Sequence, residues 1–115
     1  MYSNEKWINE QLNTYKGCRE DVIRFIDRLV YWQGKKEAKT IIELFSNGYC
    51  YYFALMLKDA FGGEICWLKG YGHILWKDEN DTLYDINGVY TDYNDDEIVP
   101  ISELGDKIED FKHKK

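Results

Sequence analysis

Residues 49 to 61, YCYYFALMLKDAF, are apolar on nearly every side of the helix they would form. A helix at a domain surface keeps a polar face, so a helix without one is expected at the centre, covered all round. Phe53, Ala54, Leu55, Met56, Leu57, Ala60 and Phe61 supply that apolar coat. Asn47 and Gly48 interrupt the helical pattern before it and Gly62 and Gly63 end it, as residues of those types do. The rest of the chain must wrap this segment. With 115 residues in all, there is material for one domain, residues 1–115, around a single modest core.

The flanking sequence supplies the wrapping. Val22, Ile26, Leu29 and Val30 recur at helical spacing, which predicts a helix over about 19 to 32, with Glu20 and Asp21 in its first turn and Gly34 past its end. A second helix is expected over about 36 to 46 on the stripe Ile41, Ile42, Phe45. Residues 1 to 16 are polar with scattered aromatics and show only weak helical character. After the central helix, strands are expected at about 64 to 69, 72 to 78 and 82 to 87, the last two joined by the turn Asp78–Glu79–Asn80–Asp81. Residues 90 to 99 read as an acidic loop with a short edge strand, and Pro100 and Ser102 introduce a final helix to about 111. The fold class is α+β: N-terminal helices, then a central Cys-bearing helix packed on a small antiparallel sheet.

Cys50 opens that central helix, in NGYCYYFALML. A thiol there feels the positive end of the helix dipole and the unpaired N–H groups of the first turn, both of which favour thiolate. His73 and Asp85 follow on consecutive expected strands, in GHILW and LYDING. A histidine within reach completes the activation of a thiol, and a carboxylate orients the histidine. Hairpin parity permits the pair: a turn centred on Glu79 sets His73 opposite Asp85, a shift of two keeps them diagonal neighbours on one face, and a slip of one separates them. Each residue also has a plain structural reading, as a core thiol, a satisfied strand histidine and a turn-capping aspartate. Cys66, between Ile65 and Trp67, reads as core, and Cys18 as incidental.

The stretch from about 47 to 88 resembles the papain-like superfamily, in particular its transglutaminase-like branch. That resemblance implies Cys50 as nucleophile, His73 as general base and Asp85 as orienting acid of a cysteine hydrolase or acyltransferase. An acyl-transfer site needs oxyanion donors; the Cys50 N–H is the first, and Asn47 is the side-chain amide available as second. Tyr51, Tyr52, Trp67, Tyr71, Trp76 and Tyr84 are shared between core and substrate groove, with Tyr71 and Trp76 as groove candidates.

Charge divides the chain. Residues 78 to 110 hold twelve acidic residues and one lysine, a balance of −11, against +2 for residues 1 to 77 and +3 for residues 111 to 115. A nucleic-acid binder presents a basic footprint instead, so direct nucleic-acid binding is not expected. Asp92, Asp95, Asp96 and Glu97 are the candidates for docking a basic protein partner, the plainer alternative being solubility. No segment approaches the ~20 apolar residues of a membrane span, and MYSNEKWINEQLN lacks a secretory layout. Three cysteines without metal-ligand spacing fit a reducing cytoplasm, with no metal and no cofactor expected. Two functions follow: cysteine-dependent acyl transfer on an amide or ester of a protein or peptide substrate, as by a protease, amidase, deamidase or transglutaminase-like enzyme; or a non-catalytic acidic inhibitor, of phage or plasmid type, that covers a basic surface of its target.

Overall fold

A computed structural model of the chain describes residues 3–46, 49–69 and 73–101. The helix expected to about 111 lies outside the described residues.

Four helices precede a five-stranded sheet. The first, α1 (Glu5–Thr14), forms where the sequence shows only weak helical character. Its polar composition hides two local anchors. Asn4 caps it, its side chain accepting from the Trp7 N–H at 3.2 Å. Asp27, only 3% exposed on the next helix, accepts from the Asn4 N–H at 2.8 Å and the Ser3 hydroxyl at 3.0 Å. Ile8 is the one residue of α1 fully buried, so tertiary hydrogen bonds supply what apolar periodicity lacks. The second helix, α2 (Glu20–Tyr31), buries Val22, Ile23, Ile26 and Val30, while α3 (Lys35–Ser46) fully buries only Ala38. The central helix, α4 (Cys50–Phe61), buries Cys50, Tyr51, Phe53, Ala54 and Leu57, so its N-terminal part is the one wrapped on several sides. Its last turn emerges to solvent at Lys58, Asp59 and Ala60. Among the described residues no helix is long and apolar enough to cross a membrane.

The strands are β1 (Glu64–Leu68), β2 (His73–Lys77), β3 (Leu83–Asp85), β4 (Gly88–Val89) and β5 (Ile98–Pro100). Their order is β4-β3-β2-β1-β5, with every pairing antiparallel. The fold is therefore α+β, as the hydrophobic patterning predicts.

Strand parity sorts two cores. Ile65, Ile74, Trp76 and Tyr84 pack with the helices. Cys66, Leu68, Leu75 and Leu83 form a second cluster, covered by Tyr90, Tyr93 and Ile98. The stretch expected as an acidic loop is thus anchored: its tyrosines cover the far side of the sheet, and β5 pairs with β1 at Cys66, Trp67 and Leu68.

The turn into β1 depends on glycine. Gly62 and Gly63 both have positive φ, and a Cβ on Gly63 would sit 2.5 Å from the Lys77 carbonyl oxygen. The close approach lets the Trp76 indole N–H donate to the Gly62 carbonyl at 2.8 Å. Just beyond Lys77, at the same end of β2, the buried Asp78 organises the hairpin turn. It accepts from the Asn80 and Thr82 N–H groups and from the Tyr84 hydroxyl at 2.7 Å. The Tyr84 oxygen in turn accepts from the Arg19 N–H at 3.0 Å, tying the start of α2 to the hairpin.

Candidate functional site

Three elements end at one place. Cys50 is the first residue of α4, preceded by Tyr49, whose side chain makes no cap hydrogen bond. The first-turn N–H groups are therefore not taken up by the preceding residue's side chain. His73 is the first residue of β2 and Asp85 the last of β3. The hairpin pairs Trp76 with Tyr84 and Lys77 with Leu83, so it is centred on Asn80 rather than Glu79. Continued by one residue, that register sets Asp85 opposite Leu75, with His73 its diagonal neighbour on the same face. The His73 Nε2 lies 3.2 Å from Asp85 Oδ2. The other carboxylate oxygen, Oδ1, accepts from the Asn87 N–H at 2.8 Å, which fixes the carboxylate's plane.

Cys50 meets the same imidazole. The His73 side chain and the backbone N–H groups of Ile74 and Tyr51 all act on its thiol and favour the thiolate. The residue is 7% exposed. Burial alone would push this thiol up, but the His73 hydrogen bond, the Ile74 and Tyr51 N–H groups and the imidazolium charge outweigh it and hold Cys50 below the usual thiol range. Burial likewise disfavours the His73 cation, yet its bonds to Asp85 and Cys50 and their charges raise it to about 9. With Nε2 turned to Asp85, Nδ1 is the nitrogen left for Cys50.

The other two thiols differ in kind. Cys66 has no such partner, and burial pushes it up to about 11. Cys18 is also raised, chiefly by burial, its Sγ lying 3.8 Å from the Gln11 carbonyl. All three cysteines are free thiols. Among the described residues no group of three or more His, Cys, Asp or Glu is arranged to hold a metal ion.

Several expected site residues fall elsewhere. Asn47 and Tyr71 lie outside the described residues. Trp76 does not line a groove: it is fully buried, with ring contacts to Phe61 at 6.1 Å and Tyr84 at 5.4 Å, and its one donor is spent on Gly62. Strand alternation is the cause, since Trp76 shares the helix-facing parity of Ile74 and Tyr84. In the acidic segment Asp92 and Asp96 are exposed, and Asp95 begins the 3₁₀ turn Asp95–Glu97. Glu97 is engaged locally, its Oε1 accepting from the Asn94 N–H at 2.9 Å. One neighbour of the site carries no signal in sequence spacing: Tyr90, whose ring packs against His73 with centroids 5.7 Å apart.

Comparison with known proteins corrects the expected kinship. No curated protein and no solved structure matches the chain. A family model does match, that of the phage YunG-like protein, over residues 22–115, and Cys50, His73 and Asp85 all lie within it. The papain-like, transglutaminase-like assignment, and the label of cysteine hydrolase that came with it, are accordingly withdrawn. The stretches that carried the resemblance are rich in positions that packing alone explains: Tyr51, Phe53, Ala54, Leu57, Ile74, Trp76 and Tyr84 are all buried core. An apolar helix laid on an antiparallel hairpin needs such residues whatever its ancestry. With more than four fifths of its length matched, the chain belongs to the phage YunG-like family.

Proposed function

We propose that Cys50, His73 and Asp85 form a thiolate–imidazolium centre that accepts an acyl group from an amide or ester. His73 takes the Cys50 proton, and the thiolate attacks the carbonyl carbon. The tetrahedral adduct collapses, the leaving amine or alcohol takes the proton from His73, and a thioester remains on Cys50. An incoming nucleophile, deprotonated by His73, then displaces the thiolate. Asp85 holds the imidazole in the tautomer this cycle needs. One observation carries the reading: the imidazole that lies 3.2 Å from Asp85 Oδ2 is the same one that favours the Cys50 thiolate. The three free thiols are compatible with the reducing compartment that the reading requires.

Iodoacetamide labelling of the three cysteines across a pH series tests it. Each site must be judged by its pH dependence, because Cys50 is largely buried and its absolute rate is limited by access. The expected result is a Cys50 rate that levels off below the ~8.5 of a free thiol, while Cys66 stays silent until far higher pH. A Cys50 that titrates as an ordinary thiol overturns the reading.

A second reading is that the chain is a non-catalytic phage-type protein whose acidic segment docks a basic protein partner. The family match supports the phage-type part of this reading more directly than it supports the first, because a phage YunG-like protein is what it describes. The charge of residues 78 to 110 and the exposure of Asp92 and Asp96 give it a surface. Binding to a lysine-rich probe peptide should weaken steeply with salt, since exposed charges are screened over about 8 Å at physiological ionic strength. It should weaken again when Asp92, Asp95, Asp96 and Glu97 are neutralised together to Asn or Gln. Equal binding by that variant removes the idea.

A further inference from the structure

We infer that Tyr90 is a positioning residue of the Cys50 centre: its ring packs on the His73 imidazole and favours the charged ring that keeps Cys50 ionised. The inference rests on the first reading above. The two rings are tilted by 57° with centroids 5.7 Å apart. A cation this close to the face or shoulder of an aromatic ring is stabilised by the ring's quadrupole, within a limit of about 6 Å.

The groups that meet His73 come from three elements. Asp85 approaches from β3, Cys50 from α4, and Tyr90 from the segment after β4. The first two occupy ring nitrogens and act through hydrogen bonds and charge. Tyr90 contacts the ring itself, where an uncharged neighbour can stabilise the cation without consuming a donor.

Tyr90 is held independently of His73. Its N–H donates to the Leu83 carbonyl at 2.7 Å, two residues before Asp85 on the same strand. Its ring stacks on Tyr93, centroids 6.3 Å apart and planes within 16°, and both pack on the cluster of Cys66, Leu68, Leu75 and Leu83. One strand therefore sets the carboxylate and the aromatic ring together, and the core on the far side of the sheet fixes the ring's place. The acidic segment that supplies Tyr90 thus reaches the Cys50 centre through a packing contact.

Three versions of the full chain test this: Tyr90→Leu, Tyr90→Phe, and a chain with pentafluorophenylalanine at position 90. The last keeps the ring's size while inverting its quadrupole, so it answers the question even where Tyr90→Leu fails to fold. Two midpoints are read in each: Cys50 alkylation by mass spectrometry, and the His73 ring proton by NMR. Loss of the ring's field should raise the Cys50 midpoint and lower the His73 midpoint, each by roughly half a pH unit. The ion-pair window then narrows from both ends; because loosening the Cys50–His73 contact narrows it too, the size-matched fluorinated ring read against Tyr90→Phe is the arm that decides. Tyr90→Phe should leave both midpoints at wild-type values. Unmoved midpoints in the Leu and fluorinated proteins overturn the role of Tyr90, as does a Tyr90→Phe shift equal to theirs, or a shift of both midpoints in one direction. A wild-type Cys50 that behaves as an ordinary thiol overturns the first reading and the role of Tyr90 with it. An activated wild-type Cys50 that is indifferent to position 90 removes only Tyr90.

Discussion

His73 and Asp85 meet at 3.2 Å as diagonal neighbours across the β2–β3 hairpin, not as a directly opposed pair. The distinction has a structural cause. Asp78 gathers the Asn80 and Thr82 N–H groups on one carboxylate oxygen, which centres the turn on Asn80. That register puts Leu75 opposite Asp85 and leaves His73 at the strand's mouth, where the first residue of α4 can reach it. The site's geometry is thus set at the opposite end of the hairpin from the site.

Tyr84→Phe should expose that dependence. Removing the hydroxyl leaves the buried Asp78 Oδ2 without its donor and the Arg19 N–H without its acceptor. A loss of about 1–3 kcal/mol is expected in urea unfolding, because buried polar groups are then left unpaired. A loss under about 0.5 kcal/mol would mean that water replaces the hydroxyl.

Gly62 and Gly63 should respond unequally to alanine. Both have positive φ, but a Cβ at Gly62 meets nothing within 4 Å, whereas one at Gly63 runs into the Lys77 carbonyl and the Trp76 ring. Gly62→Ala should cost about 1–3 kcal/mol, the conformational penalty alone. Gly63→Ala should cost more, since backbone and indole must also move. Equal unfolding midpoints for the two variants would refute the steric part of this account.

Asp27→Ala should loosen the N-terminus selectively. The carboxylate holds Ser3 and Asn4 against α2, and α1 buries little else beyond Ile8. Trypsin should cut at Lys6 well before it cuts within α2, with global stability lowered by roughly 1–3 kcal/mol. Uniform cleavage along the chain would show that α1 is held by other means.

The sequence made α2, α3, α4 and the first two strands legible because their apolar positions repeat at the helical or strand period. α1 was faint because its anchors, Asn4 to Trp7 and Asp27 to Asn4, are polar and partly long-range. That Cys50 opens a helix and that His73 and Asp85 share a face of the hairpin could be read from the helix start and hairpin parity. Tyr90 could not, since its contact with His73 depends on the chain crossing to the far side of the sheet. Trp76 was misread for a related reason. An aromatic on a strand belongs to groove or core according to its face, and the face is set by which parity meets the helices. Kinship was misread because a buried helix on a hairpin constrains sequence in the same way in unrelated families.

Asp85→Asn gives the most direct test of the paired carboxylate. Asparagine can still accept from the Asn87 N–H but no longer supplies the charge that, with Cys50, lifts His73 to about 9. The His73 midpoint should fall by roughly 1–3 units, read by NMR of its ring proton. At pH 8 the imidazole is then largely neutral, the Cys50 thiolate loses its counter-ion, and the alkylation midpoint of Cys50 should rise. Stability should change with a definite sign. A raised imidazole pKa means that the folded chain holds the proton more tightly than the unfolded chain. The contribution is fully present below the ordinary value of 6.5 and is lost as pH rises through about 9. Wild type should therefore exceed Asp85→Asn by roughly 1–3 kcal/mol at pH 6 and by much less at pH 10. A stability gap that stays constant from pH 6 to 10, with an unmoved His73 midpoint, would reduce Asp85 to a turn-capping residue and leave His73 to act on Cys50 alone.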